Sequence, residues 1–186
     1  MTTTGILYIL LGIAAFLVLA LIFIYNNLIR KLNRAKEAWA DIDVQLKRRH
    51  DLIPNLVEAV KGYAGHEKNV LEEVVKARSA AMGAGTPADK LKAEDALSKT
   101  LKTIFALAEN YPQLRASENF MGLQDELTDT EDKIQAARRF YNANVRDYNT
   151  ALAVFPSNLV ASVFRYKPYP LFEAAAGEKE AVAVKF

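Results

Sequence analysis

Apolar and polar positions divide this chain into two regimes. From Ile6 to Tyr25 there is no charge, no amide and no proline, whereas from Leu28 onward apolar residues return every three or four positions among polar ones. The first regime reads as a helix that is apolar on every side. At about 1.5 Å per residue it covers roughly the 30 Å hydrocarbon core of a bilayer. A water-soluble helix keeps a polar face. A cleaved signal peptide needs a basic leader, a shorter apolar run and a small-residue cleavage site, and neither Met1-Thr-Thr-Thr-Gly5 nor Ile22-Phe-Ile-Tyr25 supplies them. The pattern predicts a transmembrane helix that stays on the protein.

In the second regime Leu32, Trp39, Leu46, Ile53 and Val60 recur every seventh residue, with Leu28, Ala35, Ile42, Arg49, Leu56 and Tyr63 between them. This is the a/d seam of a helix packed in a bundle. Pro54 removes the bond to the carbonyl of His50, but the seam continues in register, so a kink is expected there rather than an end. Gly62 and Gly65 either stop this first helix or are tolerated, at about 1 kcal/mol each, inside a rod that continues into the next. The second helix is expected over His66 to Ala81, with Leu71, Val74, Val75, Arg78 and Ala81 facing inward. Gly83 to Gly85 form a loop, and Thr86-Pro87 supplies the N-cap and first position of a third helix. That helix runs to about Asn110, with Leu91, Leu97, Leu101, Ile104, Leu107 and Ala108 on its apolar side. Tyr111-Pro112 marks a boundary. The fourth helix repeats Phe120, Leu127, Ile134, Tyr141, Tyr148 and Phe155 at intervals of seven, and Pro156 ends it. Ser157 is expected to cap a short helix through Phe164, and from Tyr166 the chain reads as extended.

The predicted fold is all-α. It is an antiparallel four-helix bundle, with helices one and four long and coiled-coil-like in their seams, on an N-terminal transmembrane helix. The divisions are an anchor over residues 1–27, a bundle over 28–165 and an extended tail over 166–186.

Charge adds orientation. Arg30, Lys31, Arg34 and Lys36 crowd the C-terminal side of the span, so the positive-inside rule puts the bundle in the cytoplasm and the N-terminus outside. Each of these residues is worth on the order of 1 kcal/mol against anionic headgroups, which makes them a membrane-surface contact with the lipid bilayer. The formal charge of +2 is nearly balanced and its basic residues are interspersed with acids, which argues against nucleic acid as a partner. Without cysteine there is no disulfide framework.

Candidate chemistry is sparse. His50 and His66 lack the second ligand at helical spacing that a zinc site needs. The serines read as helix surface or caps rather than as nucleophiles beside a base, and the Gly83 to Gly85 loop lacks the lysine of a phosphate cradle. No catalytic, metal or cofactor site is predicted, and the chain is not expected to be an enzyme. The polar residues within the seams carry more information. Arg49 sits where leucine would fit; it either snorkels to the bundle edge or pairs with a carboxylate of helix four, Glu131, as a register-setting pair. Tyr141-Asn142 and Tyr148-Asn149 place two tyrosines on one stripe and two asparagines beside it. In the tail, Val182, Val184 and Phe186 alternate as in an extended strand and are expected to dock on a second copy as an oligomer contact.

Four passages carry a family resemblance: Gln45-Leu-Lys-Arg-Arg-His-Asp-Leu-Ile-Pro-Asn-Leu-Val-Glu58, Ala108-Glu-Asn-Tyr-Pro112 with Ala116-Ser-Glu-Asn-Phe120, the repeated Tyr-Asn at 141 and 148, and Phe155-Pro-Ser-Asn-Leu159. Together they resemble the LemA family of bacterial membrane-anchored helical proteins over essentially the whole chain. The resemblance implies a four-helix cytoplasmic domain, an outward-facing short N-terminus, no established enzymatic activity, and the company of membrane zinc metalloproteases of the HtpX kind. The expected function is thus a single-pass, self-associating scaffold in the bacterial cytoplasmic (inner) membrane, a homo-oligomer that organises a membrane partner. The alternative is a sensor that binds a small ligand or peptide in a groove of the bundle.

Overall fold

The computed structural model describes residues 3–64 and 67–172. They form six α-helices and, among the described residues, no strand: α1 (Thr3–Lys61), α2 (Lys68–Gly83), α3 (Pro87–Ala108), α4 (Pro112–Arg115), α5 (Glu118–Ala153) and α6 (Ser157–Val163). The chain divides into two compact units. One combines residues 3–40 with 138–171, and the other holds residues 41–137 together with Phe172.

In the first unit α1 begins with an apolar run whose large side chains, as far as Phe23, stand open among the described residues. Phe16, Leu19 and Phe23 are each about two-thirds exposed or more, and α1 is the one helix among the described residues long and apolar enough to cross a membrane. A soluble core helix of this composition would be buried. The N-terminal part of α1 is a candidate membrane anchor. Beyond it Leu28 packs with Ala151 of α5 and with Val160 and Ala161 of α6, and Ile24, Tyr25, Leu152 and Tyr166 close around them. Farther along, Ala35 and Ala38 of α1 and Tyr141, Val145 and Tyr148 of α5 are buried, and the Trp39 and Tyr141 rings meet edge-on at 5.3 Å. Small residues on α1 leave room for tyrosines on α5, the large-against-small pairing that dense packing requires.

Two expectations at the end of α5 change. Phe155 keeps the seven-residue interval but lies past the helix end at Ala153 and is 78% exposed. Ser157 does not cap α6; its hydroxyl donates backward to the carbonyl of Ala151 (2.6 Å), an acceptor in the last turn of α5, and also reaches the carbonyl of Val154 (3.0 Å), which takes the Asn158 N–H as well. α6 closes with Arg165 in the left-handed region (φ 56°). Tyr166 N–H reaches Ala161 O at 2.9 Å and Arg165 N–H reaches Ser162 O at 3.1 Å, a paired C-terminal cap.

In the second unit α1 and α2 are separate helices. Tyr63 N–H and Ala64 N–H both turn back to Val60 O, at 3.1 and 2.8 Å, and Tyr63 leaves the seam to become half-exposed. Pro54 lies inside α1 on its exposed side, so its ring faces solvent and the helix runs past it. Thr86 caps α3 through Asp89 N–H at 3.1 Å, with Pro87 in the first turn, and α2 and α3 pack against each other across a three-residue link. One further turn, α4, begins at Pro112, whose missing N–H costs nothing at a helix start. The core gathers Ile53 and Leu56 of α1, Val74 of α2, Leu97 and Ile104 of α3, Leu114 of α4 and Phe120 of α5, each fully buried large apolar side chain contributing roughly 1.5–3 kcal/mol. Val75, expected inward, is half-exposed.

Candidate functional site

The polar centre of the second unit is built around Arg49. The seam of α1 carries it inward, where it is fully buried and ranks among the largest buried side chains. Glu94 and Ser98 stand one turn apart on α3 and so present the same face, while Glu131 comes from α5. The guanidinium distributes its donors among them. Nη1 donates to Ser98 Oγ at 2.8 Å and to Glu131 Oε2 at 2.6 Å, and Nη2 donates to Glu94 Oε2. Gln135 Nε2 donates to the second oxygen of Glu131 at 3.1 Å. The other oxygen of Glu94 lies 2.8 Å from His50 Nε2.

Burial pushes the Glu94 carboxyl upward, but the His50 imidazole and the Arg49 charge outweigh it and hold the group below its ordinary range. Glu94 and Arg49 are therefore an ion pair with both side chains sealed from water, whereas Glu131 is about one-third exposed at the rim. A second bridge between the same two helices, Lys90 Nζ to Asp43 Oδ1 at 2.6 Å, lies nearer the surface. Arg78 of α2 donates from Nε to the carbonyl oxygen of His50 at 2.7 Å. Three helices, α2, α3 and α5, are thus tied to one stretch of α1 by directional bonds. Thr130, also in the α5 seam, returns its hydroxyl to Glu126 O of its own helix at 2.7 Å and adds no cross-link.

Chemically the arrangement holds rather than reacts. Both Glu94 oxygens are engaged, Ser98 faces a guanidinium instead of a base, and among the described residues no group of three metal-binding side chains gathers. Beside the cluster a cleft of about 210 Å³ is lined by Ser98, Lys102, Phe105, Leu127 and Glu131.

In the first unit the Tyr-Asn repeats hold the segment after α6. Tyr148 Oη donates to Lys167 O at 3.1 Å and Tyr141 Oη to Pro170 O at 2.9 Å. Asn149 clamps Tyr169 with two bonds of 2.9 Å, Nδ2 to its carbonyl and Oδ1 from its N–H. Pro168 and Pro170 have no N–H, so Tyr169 carries the one backbone donor of this stretch and Asn149 takes it.

Of the residues singled out by sequence, Arg49 and Glu131 are brought together. Arg30, Arg34 and Lys36 are exposed on α1 just past the apolar run, and Lys31 is half-buried. Val182, Val184 and Phe186 lie outside the described residues. Sequence reasoning missed Glu94, and it weighed His50 only as a metal ligand. The signal for Glu94 was present, since 94, 97, 101, 104 and 108 follow the alternating three-and-four spacing of a seam, with an acid at its first position.

The model of the LemA family matches residues 38–186. The chain belongs to the LemA family. It is similar to Protein LemA of Metamycoplasma hominis, 28% identical over 83% of this chain and 71% of that one. It is similar also to Magnetosome protein MamQ of Magnetospirillum gryphiswaldense, 24% identical over 90% of this chain and 71% of the relative, and to Magnetosome protein MamQ 2 of Paramagnetospirillum magneticum, 23% identical over the same shares. The LemA family match takes in the Arg49 cluster and the Tyr-Asn clamp, whereas the apolar run and Arg30 to Lys36 precede it.

Proposed function

We propose that this LemA-family chain is a membrane-anchored, self-associating helical scaffold that works by holding a partner and carries out no catalysis of its own. In this reading the apolar start of α1 fixes an antiparallel four-helix bundle to the bacterial inner membrane, with the bundle in the cytoplasm and Arg30, Lys31, Arg34 and Lys36 on the headgroups. Copies associate through the tail, with Val182, Val184 and Phe186 as the contact. The observation that carries the reading is the open apolar run at the start of α1, a helix that goes on to pack in both units and whose Arg49 is committed to Glu94, Ser98 and Glu131. Confinement to a membrane raises effective concentration, so contacts too weak for dilute solution assemble there. A membrane zinc metalloprotease of the HtpX kind is the partner that the family resemblance suggests.

The test is the mass of the intact chain in native-like membrane patches. The scaffold reading expects a homo-oligomer, smaller when residues 181–186 are deleted and unchanged in helicity; a monomer overturns it. The sensor alternative draws on one feature, a groove of about 470 Å³ between α1 and α2 lined by Val57, Leu71 and Val75 with Lys61, Lys68 and Lys76 around it. The tyrosines and asparagines that would orient a ligand are instead committed to backbone carbonyls elsewhere.

A further inference from the structure

α6 carries apolar residues on its exposed side as well as on its buried one. Val160 and Ala161 face inward, where they pack with Leu28 and Ala151. Leu159 and Val163, one turn apart, are 59% and 76% exposed; Phe155, just before the helix, is 78% exposed, and Phe164, just after it, is half-exposed while its ring packs on Tyr25. A soluble surface does not keep such a contiguous apolar patch without a use for it.

Its position names the use. The Tyr25 ring lies 4.8 Å from Phe164 and 6.4 Å from Tyr166, and Ile24 packs in the same cluster. Ile24 and Tyr25 are the last residues of the uninterrupted apolar run, so the outward face of α6 stands level with the place where that run leaves the hydrocarbon. Tyrosines gather at that depth because one end of the ring is apolar and the other wet. Arg165 and Lys167, both exposed, follow immediately and supply cations for anionic headgroups.

We propose that α6 with Phe155 and Phe164 is an interfacial wedge, inserted at the boundary between headgroups and acyl chains beside the span, and that its occupant is lipid. The chain then touches the bilayer at two points, the crossing helix and α6, which stops the first unit from swivelling about the span. The inference rests on the reading of α1 as a membrane span.

The chain has no cysteine, so single thiols can report on it without background. Full-length Phe155→Cys, Leu159→Cys and Val163→Cys are labelled with an environment-sensitive fluorophore and reconstituted in vesicles of phosphatidylcholine and phosphatidylglycerol that carry nitroxide lipids at shallow or deep positions. Phe16→Cys marks the span and Lys92→Cys marks solvent. The labels at 155, 159 and 163 are expected to emit to the blue of the Lys92→Cys label and to lose intensity with shallow nitroxide more than with deep, while the label at 16 prefers the deep one. Labels at 159 and 163 that iodide quenches as readily as the label at 92 overturn the wedge. Blue emission without nitroxide quenching also overturns it and assigns the face to a second copy of the chain. Loss of quenching at 16 instead fails the span itself. All three wedge positions are at least half exposed, so the melting temperatures of the variants should match that of the unmodified chain.

Discussion

Arg78 Nε donates to the carbonyl oxygen of His50 across 2.7 Å, and His50 is the residue whose helical donor Pro54 has removed. In an unbroken helix the N–H of residue 54 would bond that carbonyl. Proline has no N–H, so the acceptor is met by the guanidinium of α2, and the interruption in α1 becomes a tie to its neighbour.

Arg78→Met keeps the length of the stem and removes the donor. It should cost about 1–2 kcal/mol, the penalty for an orphaned, largely buried acceptor. In a Pro54→Ala background the carbonyl regains its own N–H, and the same substitution should then cost well under about 1 kcal/mol. Denaturant melts of the four proteins in one neutral detergent close the cycle. Equal costs in both backgrounds would mean that Arg78 contributes by packing alone.

The Arg49 partners should differ in weight because they differ in exposure. Glu131 is about one-third exposed, and water can take over its charge, so Glu131→Gln should cost about 1 kcal/mol or less. Glu94→Gln removes the sealed partner and should cost about 3 kcal/mol, the lower part of the range for breaking a buried pair, since Arg49 retains Glu131. Arg49→Leu strands both acids and should exceed either. Replacing Arg49 and Glu94 together by Leu and Met should recover much of that loss. If the double variant is as damaged as the sum of the singles, the two groups are not coupled.

Acid should act through the same carboxylate. The Glu94 value is held below its ordinary 4.5. Its contribution is therefore complete above that pH and is lost as pH falls through the depressed value, because the unfolded chain takes up the proton first. Stability measured from pH 6 downward should begin to fall near 4.5, and Glu94→Gln should flatten part of the slope. Asp51 and Asp129 are held down by Lys47 and Lys133 and share this direction. Both are surface groups, so about 1 M salt should erase their part and leave the share of Glu94. A slope unchanged by Glu94→Gln would place the acid sensitivity elsewhere.

Periodicity made most helices and the inward position of Arg49 legible, since a charge at a seam position is visible without coordinates. Its main counter-ion was harder to see. Glu94 occupies a seam of α3 as plainly as Arg49 does in α1, but which seam faces which is a tertiary fact, and Glu131 offered an equally good acid on another helix. The Arg78 tie was invisible for the same reason: the acceptor is a backbone oxygen, and an orphaned carbonyl leaves no side-chain signature beyond the proline that causes it. Phe155 shows the converse failure. The interval of seven continues past the point where the backbone stops being helical, because spacing along the chain constrains direction only while the helix lasts.

The Tyr-Asn stripes were legible as stripes, and what they hold follows from the prolines opposite. Asn149 meets both backbone groups of Tyr169, between Pro168 and Pro170. Asn149→Ala removes two bonds at once, with no other backbone donor from 168 to 170 available to re-pair, and should cost about 2 kcal/mol. Asn149→Asp is more informative. Its carboxylate still accepts from Tyr169 N–H but points a charged oxygen at the Tyr169 carbonyl, where the amide had donated. Protonation restores a donor there, so the folded state should favour the acid form. The cost of Asn149→Asp relative to the parent chain should therefore shrink as pH falls from about 6 through the ordinary aspartate range near 4. Limited proteolysis after Arg165 at neutral pH should be faster in both variants than in the parent. A cleavage rate unaffected by either substitution would mean that the tyrosines alone hold the segment in place.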